Sequence, residues 1–426
     1  MKFNIIDSCG KVNVKAKLKK QLLYTMKNSD FYRNKLKGFK INIEHFKDIP
    51  FTTKKEVLQD QEKYSPFGSN LCVNTRKIQR IHSTSGTTNK PYIIALTNKD
   101  IKNIVKAGAK CFKTAGVKNY DTVVHCLNYC MWAGGYTDHQ SLEATGATII
   151  PFGVGNSHNL IDTIKNLDVN VISCTPSYLA KLELVLKNEF NLTPKDLNLT
   201  LGLFGAESGL QYPEFRKKIK ETWGMTPVNA NFGMADVLSM FGSECKENDG
   251  LHFISEGNLY VELLNVDSMK MIPIERGSVG ELVLTNIDKE AQPLIRYRSG
   301  DIVKIIDTGR CKCGLKSFRF EVIGRSDDMI VIKGLNVFPH QIKTILAKHL
   351  DEVTGEFQIL VKRDSPIENL DIYIESKNII DVLGILRNKL CNEIRDKIYL
   401  YPNITFVKEG TIERSEGKTK HIKYEV

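Results

Sequence analysis

Nine consecutive residues, Ser83-Thr84-Ser85-Gly86-Thr87-Thr88-Asn89-Lys90-Pro91, carry five hydroxyls, a glycine and a lysine. Such a run buries little and builds no packed core of its own. It reads either as a solvated surface loop or as a loop whose N–H groups, hydroxyls and Lys90 wrap an anion such as a polyphosphate. Metal chemistry is suggested elsewhere, by Cys311 and Cys313 between Gly309 and Gly314, and by Cys245 and His252 in "ECKENDGLHF". Three thiols and an imidazole suit a tetrahedral zinc site with every position filled, which is structural rather than catalytic. A pair of reduced thiols is the alternative, since Cys311 and Cys313 are separated by one residue instead of the usual two. "GTIERSEGKT" (410–419) imitates a phosphate-binding P-loop, but six residues separate Gly410 from Gly417 where that motif has four, and eight residues follow Lys418. No helix that could anchor a phosphate cradle fits there.

Six unusual segments follow one another: "STSGTTNKP" (83–91), "GAES" (205–208), "NFGMAD" (231–236), "RYRSGD" (296–301), "GRSDDMIVIKGLNVFP" (324–339) and "ERSEGKTK" (413–420). In order and spacing the series resembles the adenylate-forming superfamily of acyl-CoA synthetases and luciferases. Within it, "GRSDDM" and "RSEGK" make the chain most similar to the phenylacetate–CoA ligase branch, over roughly residue 20 to the C-terminus. Any one segment is weak; six in order are specific.

The resemblance implies an ATP-dependent ligase working in two steps, through acyl-AMP and then a thioester, usually with coenzyme A. It assigns Ser83, Thr84, Ser85, Gly86, Thr87, Thr88 and Lys90 to the ATP phosphates. Gly205, Ala206 and Glu207 fall at the adenine, together with Asn231, Phe232, Gly233, Met234 and Ala235 of the third segment. Asp236 would ligate Mg²⁺, a hard cation served by oxygen. Asp301 would accept the ribose hydroxyls, joined by Arg325. Lys418 becomes the adenylation lysine, an electrostatic role, Asp327 the hinge, and Gly334 the place that leaves room for the pantetheine arm. Some relatives of this branch carry zinc near the Cys/His positions. The chain departs from the common pattern at Asp236 (often Glu), Asn89 (Gly), Phe232 (Tyr) and Ser299 (Thr), and none of these removes a chemically required group.

The branch implies an aryl or arylalkyl acid, and "NYCMWAGGY" (128–136) supplies Trp132 and Tyr136 for an acid pocket where a ring could stack. Aromatics in such a segment also serve as plain core. Phenylacetate, a benzoate, an indole acid and a small aliphatic acid all stay open. The alternative acceptor is the phosphopantetheine arm of an acyl carrier protein, whose acidic surface the basic chain would suit. A non-enzymatic protein of the same fold would be expected to lack Lys418 or Asp301, and both are present.

These groups need positioning elements. Residues 12 to about 80 are lysine-rich and mostly helical in pattern, with Pro50 halting the chain and Thr52 or Thr53 capping a helix opened by Lys54. "DTVVHCL", "ATIIPF", "NVISCTP", "TLGLFGA" and "GELVLT" read as strands alternating with amphipathic helices. "KDIKNIVKAGAKCFKTAG" places Ile101, Ile104, Val105 and Phe112 on one face, with Gly108 on the same stripe. The expected fold is a large N-terminal α/β domain (1–325) with β-sheets packed by helices, its first 80 residues a helical lobe. A small mobile C-terminal α+β domain (326–426) follows, hinged near Asp327. Within it, "HQIKTILAKHL" stacks Ile342, Ile345, Leu346 and Leu350 behind Pro339, and strands "FQILVKR", "LDIYIES" and "NITFVKE" flank a helix from about 378 to 397.

With 426 residues the chain exceeds one core, and 42% apolar with 26% charged residues is ordinary globular composition. No stretch is long and apolar enough for a membrane span, and the N-terminus lacks a signal-peptide apolar region. A cytoplasmic location is expected. Ten cysteines without a secretion signal read as reduced residues, with Cys111, Cys126 and Cys174 in apolar segments. The net charge of +11 raises the question of nucleic acid, but its cations are interleaved with acids along the chain and no nucleic-acid motif accompanies them. A homodimer is the default expectation for oligomeric state.

Overall fold

The computed structural model describes residues 13–40, 43–84, 91–205, 210–326, 328–333, 335–362, 367, 369–377, 383–412 and 421–425. By internal contacts the chain divides into two compact units. The first comprises Met1–Gln211, Lys218–Ser299 and Lys304–Glu321; the second comprises Tyr212–Lys217, Gly300–Val303 and Val322–Val426.

Helices α1 (Val14–Asn28), α2 (Asp30–Lys35) and α3 (Lys54–Lys63) open the chain. Thr53 caps α3 in a capping box with Glu56, each side chain bonding the other's backbone N–H. Thr52 is not the cap; its buried hydroxyl donates to the Ile295 carbonyl at 2.8 Å. The hairpin β1 (Ile78–Ser83) and β2 (Ile93–Thr97) then leads into α4 (Asn98–Ala115). A capping box of Thr97 and Asp100 starts α4, and Gly116, in the left-handed region, ends it. Its apolar stripe packs Ile101, Ile104 and Phe112 inward as the periodicity predicts, while Val105 is half-buried. Gly108 is needed there: a Cβ would sit 2.2 Å from the Ser141 hydroxyl of the neighbouring helix α5 (Ala133–Glu143). Close helix approach offsets the usual helical cost of glycine.

Strands β3 (Thr122–His125), β4 (Thr148–Pro151), β5 (Val171–Cys174), β6 (Leu201–Gly205) and β7 (Thr226–Met234) form parallel neighbours in the order β4-β3-β5-β6-β7. Helices α6 (Ser157–Asn166), α7 (Tyr178–Val185) and α8 (Pro213–Trp223) lie between them in sequence. From β7 the sheet turns antiparallel through β8 (Leu238–Ser243) and β9 (Leu251–Phe253). It is completed by β10 (Leu259–Asn265), β11 (Lys270–Ile272), β12 (Val279–Asn286), β13 (Tyr297–Asp307) and β14 (Arg319–Arg325). The full twelve-stranded order is β11-β10-β12-β13-β14-β9-β8-β7-β6-β5-β3-β4. The five segments of the middle of the chain read as strands from sequence lie in it.

The second unit holds the short hairpin β15 (Ile330–Ile332) and β16 (Leu335–Val337), then α9 (Pro339–Leu346). Strands β17 (Val353–Lys362), β18 (Leu370–Ser376), β19 (Pro402–Lys408) and β20 (Ile422–Glu425) make a sheet in the order β19-β18-β17-β20, with α10 (Leu383–Ile398) between β18 and β19 in sequence. Ile342, Ile345 and Leu346 of α9 and Leu386, Leu390 and Ile394 of α10 pack with Phe357, Ile359 and Ile372 in one apolar core. Strand β20, parallel to β17, is not among the strands expected from sequence.

Candidate active site

Strands β6 and β7 run parallel, and their register sets Gly205 opposite Asn231. The segments "GAES" and "NFGMAD" therefore begin side by side, where β6 and β7 end and the sheet changes from parallel to antiparallel. Crevices of this kind, at the carboxyl ends of parallel strands, are where open α/β sheets bind ligands. Gly233 is required by the fold: a Cβ there would lie 2.1 Å from the Ser239 carbonyl of β8. Phe232 meets Phe241 and Phe320 edge-on, at centroid distances of 5.2 and 5.4 Å. The aromatic cluster thus engages the ring without the tyrosine hydroxyl of the common pattern. Met234 and Ala235 are half-buried beside it.

Asp236, 4% exposed, lies in the tight turn joining β7 to β8. One carboxylate oxygen accepts the Tyr297 hydroxyl at 2.7 Å. Its backbone carbonyl accepts the ammonium of Lys289 at 2.6 Å. Lys289 is itself buried, and burial lowers its pKa while the charges of Asp100 and Asp236 oppose that shift. Asn231 donates through its amide to the buried Asp138 of α5. Burial raises the Asp138 carboxyl well above the ordinary carboxylate range, with Asn231 opposing, and its second oxygen has no hydrogen-bond partner. Tyr297, Lys289 and Asp138 support the site from behind, and sequence reasoning had given none of them a role. Tyr297 lies within "RYRSGD", which is the signal the sequence carries for it.

Ser83 ends β1, its N–H donating to the Met131 carbonyl at 2.9 Å. Thr84 bonds Tyr92 twice: the Thr84 N–H donates to the Tyr92 carbonyl, and the Tyr92 N–H donates to the Thr84 hydroxyl oxygen at 3.0 Å. The mouth of the hydroxyl-rich segment is thereby fixed. Ser85, Gly86, Thr87, Thr88, Asn89 and Lys90 lie outside the described residues, as do Ala206, Glu207, Asp327, Gly334 and Lys418.

In the second unit, Asp301 follows Gly300, whose φ of +77° is left-handed and suits glycine. Arg325 donates to the Asp301 carboxylate at 2.8 Å. A Cβ on Gly300 would meet the Arg325 guanidinium at 2.6 Å, so the glycine also clears the way for this pair. Trp132 immediately precedes α5, and Tyr136 lies in its first turns; both are exposed. The Tyr136 ring stacks on His139 and carries the Arg80 guanidinium 4.5 Å above it.

Cys245, His252, Cys311 and Cys313 converge, with all four ligand atoms within 4.8 Å of one another. The Cys245 and Cys311 sulfurs are 3.8 Å apart, and Cys313 sulfur lies 3.6 Å from His252 Nε2. Tetrahedral zinc with ordinary Zn–S and Zn–N bonds needs edges of about 3.8 Å between sulfurs and about 3.6 Å between sulfur and nitrogen. His252 Nδ1 is 2.9 Å from the Ser317 hydroxyl, so its outer nitrogen is anchored while Nε2 faces the sulfurs. Burial pushes the Cys245 thiol up to about 12. The pair lies far apart in sequence, yet β9 and β14 are neighbours: Arg319 pairs with His252.

Residues 334–424 match the AMP-binding enzyme C-terminal domain. The chain is 30% identical to the phenylacetate-coenzyme A ligase of Thermus thermophilus, covering 94% of this chain and 93% of that protein. It belongs to the phenylacetate-coenzyme A ligase family. The Escherichia coli phenylacetate-coenzyme A ligase is likewise 30% identical, over 94% of this chain and 92% of its own. Among solved structures, 2-hydroxyisobutyryl-CoA ligase in its postadenylation state, in complex with 2-HIB-AMP, superposes with a TM-score of 0.85 at 24% identity, covering 97% of this chain and 89% of that one. That likeness shows the fold: a mixed α/β body followed by a small C-terminal domain. No helix among the described residues is long and apolar enough to cross a membrane.

Proposed function

We propose that this family member is an AMP-forming carboxylate–CoA ligase that activates an aryl or arylalkyl acid. The observation that carries the reading is the pairing of Gly205 with Asn231, which brings two motif segments together at the end of the parallel sheet and leads directly to Asp236. In the first step a carboxylate oxygen of the acid bonds to the α-phosphorus of ATP, and the bond to the pyrophosphate oxygen breaks. In the second, the coenzyme A thiol bonds to the acyl carbon, its proton leaves to solvent, and AMP departs with the C–O bond electrons. Ser83 to Thr88 and Lys90 hold the phosphates, and Gly205, Ala206 and Glu207 border the adenine. Asp236 offers its second carboxylate oxygen to Mg²⁺, the first being taken by Tyr297. Asp301 accepts from the ribose hydroxyls, oriented by Arg325. Lys418 neutralises charge at the reacting phosphate. Asp327 is the pivot of the C-terminal domain and Gly334 admits the pantetheine arm. Trp132 lines the acid pocket; Tyr136 already carries Arg80 on one face.

Pyrophosphate release from Mg·ATP, measured against aryl, arylalkyl and short aliphatic acids with and without coenzyme A, tests this. Release with one acid class, sustained only with coenzyme A, is the expected result. Release sustained instead by a phosphopantetheinylated carrier protein would assign the alternative acceptor.

A second observation favours a structural zinc ion at Cys245, His252, Cys311 and Cys313: the Cys245–Cys311 spacing of 3.8 Å and the Cys313–His252 spacing of 3.6 Å match the edges of a zinc tetrahedron. When bound, zinc would hold the thiols as thiolates and tie the β8–β9 connection to the β13–β14 connection. Metal analysis should find about one zinc per chain. Less than half an equivalent in undegraded, reduced protein would remove the assignment.

A further inference from the structure

A groove of about 620 Å³ runs along the solvent side of α4, between it, β1 and the end of α5. Its lining is unusually cationic. Lys102, Lys106, Lys110 and Lys113 of α4 border it, and all four are exposed. Their spacing puts them on one helical face, an arrangement that self-repels and weakens an isolated helix. A solvated helix face commonly mixes both signs; here the stripe carries one.

Arg80 enters the same groove from a different element. Its Nη2 donates to the Gln140 amide oxygen at 2.6 Å, and its guanidinium carbon lies over the Tyr136 ring, 4.5 Å from the centroid. The side chain is thus held in place by neutral partners. Burial penalises its charge and lowers its pKa. Among the described residues, none of the five cations has a carboxylate within ion-pair distance. Glu256 feels the charge of Lys110 without reaching that distance. A pre-positioned arginine and an unpaired lysine stripe, converging on one bounded groove, need an anion of high charge density.

We propose that this groove binds the phosphorylated nucleotide end of coenzyme A, with its 3′-phosphate and diphosphate along the α4 lysines and Arg80. The inference rests on the coenzyme A ligase reading and names where that reading's second substrate is held. The groove's volume of about 620 Å³ suits a nucleotide rather than a nucleic-acid track. Arg80 points with His82 toward α5, whose Thr137 lies 3.4 Å from the His82 ring, whereas the next position in the alternation, Ser83, begins the hydroxyl-rich segment assigned to ATP. One hairpin would then serve both nucleotides, on different faces.

The test pairs a binding measurement with a kinetic one. Calorimetry on the full chain with adenosine 3′,5′-bisphosphate should show binding that weakens at least about tenfold in Lys106→Glu/Lys110→Glu and in the milder Lys106→Ala/Lys110→Ala. The exposed control Lys218→Glu/Lys220→Glu should change it less than about twofold. In the ligase assay, the KM for dephospho-coenzyme A should exceed that for coenzyme A by at least about tenfold, and the α4 variants should compress that ratio toward one. An uncompressed ratio, no binding by the unmodified chain, or loss only of transfer to a carrier protein would overturn the proposal. If no acid supports pyrophosphate release, the ligase reading fails, while bisphosphate binding still decides the groove.

Discussion

Of the arginine–carboxylate pairs that arise from one short stretch, those of Arg296 and of Asp301 are built differently. Arg296 is buried with Glu262, donating to both carboxylate oxygens at 3.0 and 3.1 Å. Its remaining donor bonds the Lys47 and Ile49 carbonyls. It does so from a left-handed backbone conformation, φ +46°, that arginine rarely adopts. That strain is held by Thr52, whose N–H donates to the Arg296 carbonyl. Five positions on, Asp301 is paired with Arg325, and the corresponding left-handed residue is Gly300. The side chain of Arg325 is 27% exposed, where that of Arg296 is 3% exposed. A pair closed on all sides fastens loops to a sheet; a pair with one side toward solvent is available to a ligand. Side-chain chemistry alone does not separate them, but what surrounds the guanidinium does.

Four substitutions and one extraction sharpen or break that contrast. Asp301→Ala should have the largest effect, lowering kcat/KM for ATP by roughly 100- to 10,000-fold, because two charge-assisted bonds of about 1.5–3 kcal/mol each are lost. Its unfolding free energy should fall by less than that of Glu262→Ala, since the Arg325 side chain left behind keeps contact with solvent. Glu262→Ala should invert this pattern: about 3–5 kcal/mol of stability lost in urea unfolding, as a buried guanidinium is left unpaired. Should Glu262→Ala prove stable but inactive, the division of roles would be wrong. If the proposed zinc is bound, a chelator should lower the melting temperature of the unmodified chain and leave a Cys311→Ser/Cys313→Ser variant unaffected; equal shifts would argue against ligation. Tyr297→Phe takes one donor from Asp236 and should cost about 1–3 kcal/mol, read as a raised Mg²⁺ requirement for pyrophosphate release.

Asp138→Asn should show the smallest effect, and its sign depends on pH. The folded pKa of Asp138 is raised, so the native chain keeps a proton that the unfolded chain releases. Its contribution to stability is complete below the unfolded value, about 3.9, and is lost as pH rises through the folded value. Asparagine has no such proton, so the variant should gain on the unmodified chain as pH increases. Parallel pH–stability curves would show that Asp138 is ionised in the fold.

Local patterns made much of the fold legible. The stripe of Ile101, Ile104 and Phe112 marked α4, Thr53 with Glu56 marked the start of α3, and runs such as "NVISCTP" marked buried strands. Strand β20 was not legible, because "HIKYEV" is short and its partner β17 lies some sixty residues earlier. The motif segments were readable as chemistry since their residue types are odd for surface loops. The groups behind them were not: Tyr297 meets Asp236 across 61 positions, and Asp138 meets Asn231 across 93. Spacing of that kind belongs to sheet order, which no local period records. Gly108 read as a helix weakness for the same reason, as Ser141 supplies the constraint from another helix.

The strand order also governs how the molecule can be made. Strand β14 is inserted between β13 and β9, although β9 is finished near residue 253 and β14 begins at Arg319. As the chain leaves the ribosome, one edge of β9 and one of β13 stay unpaired until that last strand arrives. Open edges of this sort are templates for pairing with the wrong chain. The central sheet therefore closes only once β14 is made, and the interval before residue 325 is synthesised is when a nascent copy is most exposed to its neighbours on a polysome.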